Sequence, residues 1–124
     1  MEDDAGDGWA RAASLTDVPD GKPVDVMVGD EEVLLYRRGD EVFAIGNRCT
    51  HQRAQLHRGR VQSLGAILTV TCPAHGSMFA LKDGRVLRGP AMRRVPAYEA
   101  RLRGDQIEIR RVEQAQGPTR SSAT

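Results

Sequence analysis

The sequence predicts an all-β fold in which antiparallel strands form a sandwich or a partial barrel. Short runs with strand character follow one another, and no stretch in the middle of the chain keeps a helical period. The segments between the runs carry the Gly and Asp that tight turns favour, at residues 29–30, 38–40, 82–84 and 103–105. This succession of runs and turns indicates consecutive antiparallel strands.

Nine runs are predicted to form strands, and most of them are bounded by these turns. In chain order they are residues 9–13, 23–28, 33–37, 42–46, 66–71, 78–81, 85–87, 97–102 and 106–110. One helical turn is predicted over residues 15–18, where Ser14 or Thr16 can cap the start and Pro19 ends it. Trp9 and Tyr36 lie at predicted strand positions and are expected to pack against other residues.

At 124 residues the chain has room for a single domain with one core, which we assign to residues 9–112. Residues 1–8 and 113–124 are polar or small and cannot bury enough apolar surface to order themselves, so they are predicted to be flexible tails. A second catalytic domain does not fit in this length. No catalytic residues are predicted for the chain.

The charge of the chain excludes few partners by itself, because the formal net charge is only +1. It favours neither a nucleic acid nor a membrane as a partner. No apolar run approaches the roughly 20 residues that span a bilayer, and the acidic start of the chain is unlike a signal peptide. A cytoplasmic protein is expected.

The distribution of charge is more informative, since residues 42–82 contain no Asp or Glu. The basic residues of this segment are Arg48, Arg53, Arg58, Arg60 and Lys82. Such a run is most often a solvated face. The alternative is a docking surface for an acidic patch on a partner protein, where complementary charge speeds the encounter.

Two short motifs hold both cysteines of the chain and two of its three histidines. Cys49 and His51 form a CxH pair, and Cys72 and His75 form a CxxH pair. Two thiolates and two imidazoles suit a [2Fe–2S] cluster in which the cysteines hold one iron and the histidines hold the other. Each motif then supplies one ligand to each iron. His57, the remaining histidine, is interpreted as a polar loop residue.

The surroundings of the motifs resemble the Rieske family of iron–sulfur proteins. Residues 49–59 follow the pattern CxHxxAxL with a later Gly, and the second motif continues through residues 76–79 as Gly-Ser-Met-Phe. Residues 89–91, Gly-Pro-Ala, resemble the proline-containing loop that covers the cluster in this family. The resemblance spans roughly residues 9–112 and implies that two loops of a Rieske-like β-fold hold one [2Fe–2S] cluster.

The same resemblance implies how the surroundings tune the cluster. Higher-potential relatives have an extra cysteine pair, together with serine and tyrosine hydroxyls that donate hydrogen bonds to sulfur. Here Ser77 stands at the serine position, but Phe79 stands at the tyrosine position and has no hydroxyl. Pro90 is expected to shape the opening over the cluster. These features predict a low potential for this family, at about −150 mV.

The leading function is a ferredoxin that passes single electrons from a flavin-containing reductase to a terminal oxygenase, and the protein is expected to be monomeric on its own. These partners are implied by the resemblance. One alternative is the small Rieske subunit of a larger oxidoreductase such as a nitrite reductase. Others are a redox sensor and an interaction module with a structural zinc, since two Cys and two His also form a common zinc set. A Cys49–Cys72 disulfide would leave both motif histidines unexplained.

Overall fold

The computed structural model describes residues 8–112, and the all-β prediction is confirmed. The strands are β1 (Ala10–Ser14), β2 (Val24–Val28), β3 (Glu31–Arg38), β4 (Glu41–Gly46), β5 (Arg60–Leu64), β6 (Ile67–Thr71), β7 (Met78–Ala80), β8 (Val86–Arg88), β9 (Ala97–Arg103) and β10 (Gln106–Arg111). The predicted tails lie outside the described residues, except for Gly8. The described part of the chain has no helix with the length and apolar character that crossing a membrane requires.

The strands form two antiparallel sheets. Six strands pair in the order β1-β10-β9-β4-β3-β2, and the other four pair in the order β5-β6-β7-β8. The outer strands β1 and β2 of the larger sheet approach each other, so this sheet is nearly closed. The partial barrel predicted from the sequence is therefore this six-stranded sheet.

Strand β3 separates two apolar cores, because Val33–Tyr36 is buried on both faces of the sheet. Val33 and Leu35 pack inside the six-stranded sheet with residues of β1, β4, β9 and β10. Leu34 and Tyr36 pack on the other face, in a core that includes Phe79 of β7 and both cysteines. A strand that is buried on both faces has a continuous apolar run instead of an alternating pattern.

The hairpin of β5 and β6 positions the functional site, and its first strand was not predicted from the sequence. Residues Arg60–Leu64 have an exposed, largely polar surface, so they lack the apolar alternation that would mark a strand. Arg60 pairs with Thr71 at the open end of the hairpin. Since β5 follows the first motif and β6 precedes the second, this pairing brings the two motifs side by side.

The predicted helical turn is present as a short 3-10 helix, Leu15–Asp17. The Ser14 backbone N–H donates to the Asp17 carboxylate at 3.2 Å, which stabilises the start of the helix. A second 3-10 helix, Leu56–Arg58, was not predicted. It buries Leu56 completely and ends the loop that carries the first motif.

Candidate metal centre

The first motif lies on the loop between β4 and β5, residues 47–59, here called the first motif loop. The Cys49 N–H donates to the Ala54 carbonyl at 2.9 Å, and the Arg53 N–H donates back to the Cys49 carbonyl at 2.7 Å. Arg53 has a φ of 62°, a left-handed conformation that costs a non-glycine residue roughly 1–2 kcal/mol. The chain therefore turns sharply around Cys49 and returns toward β5.

The second motif lies on a shorter loop between β6 and β7, residues 72–77, here called the second motif loop. Its ends are joined by a hydrogen bond from the Cys72 N–H to the Ser77 carbonyl at 2.7 Å. The Gly76 N–H donates to the Cys72 carbonyl at 3.1 Å, and Gly76 has a φ of 83° that suits glycine. This loop is thus a tight turn that extends the β6–β7 hairpin.

Gly59 and Thr71 form a close junction at the base of the two motif loops. A Cβ atom at Gly59 would lie 1.9 Å from the Thr71 carbonyl oxygen, well inside contact distance. Only glycine allows the backbone of the first motif loop to approach this closely to the residue before Cys72. Gly59, the glycine that follows the CxHxxAxL pattern, therefore has a structural role at the base of the site.

The structure brings the four predicted ligands together, with the cysteines inside and the histidines outside. Cys49 and Cys72 are 1% and 3% exposed and belong to the core between the two sheets. His51 and His75 are exposed, and their ring centroids lie 5.4 Å apart at an interplanar angle of 78°. One pair of sulfur donors is therefore shielded from water, while one pair of nitrogen donors faces it.

The pKa of the Cys72 thiol is raised, first because burial disfavours the thiolate and further because Cys49 is a close neighbour. Backbone N–H groups of Ala74 and His75 point at the Cys72 sulfur and lower its pKa in part. Two buried thiols beside each other require a bound cation if both are to be thiolates. The site thus suits a metal centre better than a pair of free thiols.

The donor set fits a two-iron cluster. Each iron of a mixed [2Fe–2S] centre takes two protein ligands, two thiolates on one iron and two imidazoles on the other. The sulfur pair and the nitrogen pair match this division. Within residues 8–112 no group of three or more His, Cys, Asp or Glu side chains is placed to hold one metal ion.

Residues 89–94, here called the proline loop, contact both motif loops. The buried hydroxyl of Ser77 accepts a hydrogen bond from the Ala91 N–H at 2.9 Å. On the other side, the Thr50 hydroxyl donates to the Arg93 carbonyl at 2.5 Å. Pro90 follows a cis peptide bond and is exposed. It lies in the proline loop between the end of β8 and the contact of Ala91 with Ser77.

Phe79, the residue at the predicted tyrosine position, is completely buried. It lies on β7 opposite Val70 of β6 and packs in the same apolar core as Cys49 and Cys72. A tyrosine at this position would place a hydroxyl in or at the border of that core.

A polar brace, which was not predicted from the sequence, fixes the start of the first motif loop. Asn47 is completely buried, and its side-chain amide donates to Glu32 of β3 at 2.7 Å. Arg48 donates to the other Glu32 oxygen at 2.9 Å, and Gln55 donates to Glu32 at 3.2 Å. The Asn47 bond is the main cause of a lowered Glu32 pKa, and Gln55 and Arg48 lower it further, while burial opposes them.

His57 belongs to this brace, so its interpretation as a simple polar loop residue was incomplete. Its backbone N–H donates to the Asn47 side-chain oxygen at 2.8 Å, and its Nδ1 lies 3.0 Å from the Asn47 amide nitrogen. Its Nε2 lies 3.4 Å from an Asp25 oxygen on β2. The motif spacing carried no signal for this role, since Asp25 and Glu32 are distant in sequence.

Comparison with known proteins gives the same family for most of the chain. The Rieske [2Fe–2S] domain profile matches residues 8–99. A ferredoxin component of the naphthalene 1,2-dioxygenase system of Pseudomonas aeruginosa is 29% identical over 101 residues, which cover 82% of this chain and 93% of the relative.

Solved structures agree with this match. The ferredoxin of carbazole 1,9a-dioxygenase from Nocardioides aromaticivorans superposes with a TM-score of 0.75 at 30% identity, covering 82% of this chain and 96% of that one. A putative nitrite reductase small subunit from Mycobacterium tuberculosis gives 0.74 at 33% identity, covering 86% and 96%. A complex of reduced oxygenase and oxidized ferredoxin in carbazole 1,9a-dioxygenase gives 0.68 at 25% identity, covering 83% and 93%. The chain therefore belongs to the Rieske [2Fe–2S] domain family, and its cofactor is one [2Fe–2S] cluster.

Proposed function

We propose that this chain is a ferredoxin that carries single electrons from a flavin-containing reductase to the terminal oxygenase of a multicomponent dioxygenase system. The observation that carries this proposal is the pair of exposed histidines, 5.4 Å apart between ring centroids, above two buried cysteines. Such an arrangement opens the redox centre to a docked protein while the rest of the centre stays dry. Relatives that are ferredoxin components of dioxygenase systems support it.

In this proposal Cys49 and Cys72 hold the inner iron, and His51 and His75 hold the outer iron. When bound, the cluster supplies one-electron redox chemistry. The cysteines keep their end of the site in apolar surroundings, and the backbone N–H groups of Ala74 and His75 stabilise the Cys72 thiolate. The exposed imidazole edges set the face at which electrons enter and leave.

Ser77, Phe79 and Pro90 are proposed to tune this site. The Ser77 oxygen accepts from the Ala91 N–H, which leaves its own hydrogen available to donate toward a cluster sulfur. Phe79 offers no donor from β7. With one hydroxyl instead of two near the sulfur atoms, the potential is expected at about −150 mV, toward the low end for this family. The need for thiolate ligands suits a reducing compartment, and we place the protein in the cytoplasm.

The test combines the state of the cluster with electron delivery. The purified protein should contain iron and acid-labile sulfide in a [2Fe–2S] ratio and show an EPR signal after reduction. It should then support substrate-dependent oxygen uptake by a terminal oxygenase when NADH and a flavin-containing reductase are supplied. The variant His51→Ala, expected to lose the cluster, is the negative control. A colourless protein with one bound zinc would refute the proposal.

A second candidate function is the small subunit of a nitrite reductase, favoured by the solved relative at 33% identity. The two functions differ in assembly. A ferredoxin is expected to purify alone as a monomer, whereas a subunit is expected to copurify with a large catalytic chain. Analytical ultracentrifugation of the protein purified from its native source distinguishes them.

A further inference from the structure

Met92 lies at the tip of the proline loop and is 92% exposed, more than any other large apolar residue that the structure describes. Its neighbours on both sides are fixed. Ala91 is buried and bonds to Ser77 of the second motif loop, and Arg93 bonds to Thr50 of the first. Single exposed apolar residues are common, but this one is held in place between the two loops that carry the histidines.

Three arginines accompany Met92. Arg53, Arg93 and Arg94 are exposed, and none has an acidic partner within residues 8–112. The acidic groups on this side are largely compensated, because Glu32 pairs with Arg48 at 2.9 Å and Glu31 with Arg111 at 2.9 Å. Arg53 and Asp30 line one shallow groove, and Asp30 is the exposed acid among the groove residues that the structure describes. The surface keeps a positive sign.

The structure changes which residues form the basic face expected from the sequence. Arg48 is committed to Glu32, and Arg58 donates to Gln55 at 2.8 Å. Arg93 and Arg94, which the segment 42–82 did not include, reach the same side through the proline loop. The positive surface is thus formed by the turn at Arg53 together with the proline loop.

We propose that Met92, Arg53, Arg93 and Arg94, here called the docking surface, bind a protein partner that presents acidic residues around an apolar recess. This proposal rests on the proposed electron-carrier function and names the chemistry of the partner's face. Met92 enters the recess, and the arginines steer the approach by charge complementarity. Because the loop is already fixed on both sides, little backbone order is lost on binding. A second copy of the chain is disfavoured, since its own docking surface carries the same charge.

The test uses two protein oxidants of opposite charge with the reduced holo-protein in stopped-flow experiments. Plastocyanin, an acidic blue-copper protein, should be reduced more slowly as salt is added, and cytochrome c, a basic haem protein, more rapidly. The triple variant Arg53→Gln, Arg93→Gln, Arg94→Gln should lower the rate with plastocyanin by about tenfold and raise the rate with cytochrome c. Lys22→Gln is the control, because it removes an exposed charge near the Arg37 end of β3, opposite to the end that carries Glu32. It should change neither rate by more than about twofold.

The variant Met92→Gln tests the apolar contact of Met92 separately from the charges of the three arginines. It should lower the rate with plastocyanin by about fivefold and leave the rate with hexacyanoferrate unchanged, because that ion is too small to cover the side chain. All variants must keep the cluster spectrum of the wild type. Equal salt dependence for both protein oxidants, or wild-type rates in both variants, would overturn the docking surface while leaving the electron-carrier function intact. Binding to anionic phospholipid vesicles that Met92→Gln abolishes would also overturn it, in favour of a lipid surface.

Discussion

The first motif loop, residues 47–59, combines backbone hydrogen bonds with a brace of side chains, whereas the second, residues 72–77, is closed by its own backbone. In the first, buried Asn47 connects the loop to Glu32 on β3 and to His57 near its end. In the second, Cys72 bonds through its backbone to Ser77 and Gly76. In the longer loop one backbone group, the His57 N–H, has a side chain as its partner, and the Asn47 amide joins that side chain to β3. The same two ligand types are therefore positioned by two different kinds of interaction.

The largest effect is expected where the two loops meet. In Gly59→Ala the new Cβ would lie 1.9 Å from the Thr71 carbonyl oxygen, and backbone cannot yield as a flexible side chain does. We expect the loops to separate, with a loss of about 3 kcal/mol or more in unfolding free energy and reduced cluster content. Thermal unfolding followed by loss of cluster absorbance measures both.

Gly89→Ala is the matched control for this change. Its added Cβ would meet only Ala91 atoms, at 3.7 Å and beyond, which is ordinary contact. Near wild-type cluster content in Gly89→Ala together with loss in Gly59→Ala assigns the effect to the junction. Equal behaviour of the two variants would contradict it.

The brace gives the next largest effect. Asn47→Asp removes the amide that donates to Glu32 and sets two carboxylates against each other in a buried position. We expect a loss of about 2 kcal/mol and faster hydrogen exchange confined to the first motif loop. Ser77→Ala, which removes one buried acceptor at the end of the second motif loop, should cost about 1 kcal/mol and leave exchange in the first loop unchanged. Exchange that rises equally in both loops would argue against separate support.

This comparison also shows where sequence reasoning succeeds. The motifs, the turns and most strands depend on residues close together in the chain, so Cys49, His51, Cys72 and His75 could be predicted as a ligand set, and the structure brings them together. The brace joins positions 15 and 23 residues apart, and no local pattern marks Glu32 as a partner of Asn47 or Gln55. Strand β5 was missed because its surface is exposed, and a strand of this kind takes its place from pairing with β6.

The brace should also make the protein sensitive to acid. The pKa of Glu32 is lowered from its ordinary 4.5, chiefly by the Asn47 hydrogen bond, so the carboxylate stabilises the folded state above pH 4.5. That contribution is lost as the pH falls through the lowered folded-state pKa. Glu32→Gln should therefore be less stable than the wild type at neutral pH, by less than Asn47→Asp, and the difference should shrink below pH 4.5. Chemical denaturation of both proteins between pH 3 and 7 measures this, and a constant difference across the range would exclude Glu32 as its source.

The smallest expected effect concerns the reduction potential of the cluster and not the stability of the motif loops. Phe79 lies in the core that contains both cysteines, so Phe79→Tyr adds a hydroxyl close to the inner side of the site. A hydrogen bond to sulfur favours the reduced state, and one bond of about 1 kcal/mol corresponds to a rise of about 40 mV for a one-electron couple. Potentiometry followed by EPR measures the shift, with Tyr36→Phe as a control for the removal of a hydroxyl from the same core. A potential that does not rise, in a variant with full cluster content, would mean that the hydroxyl points away from the sulfur atoms.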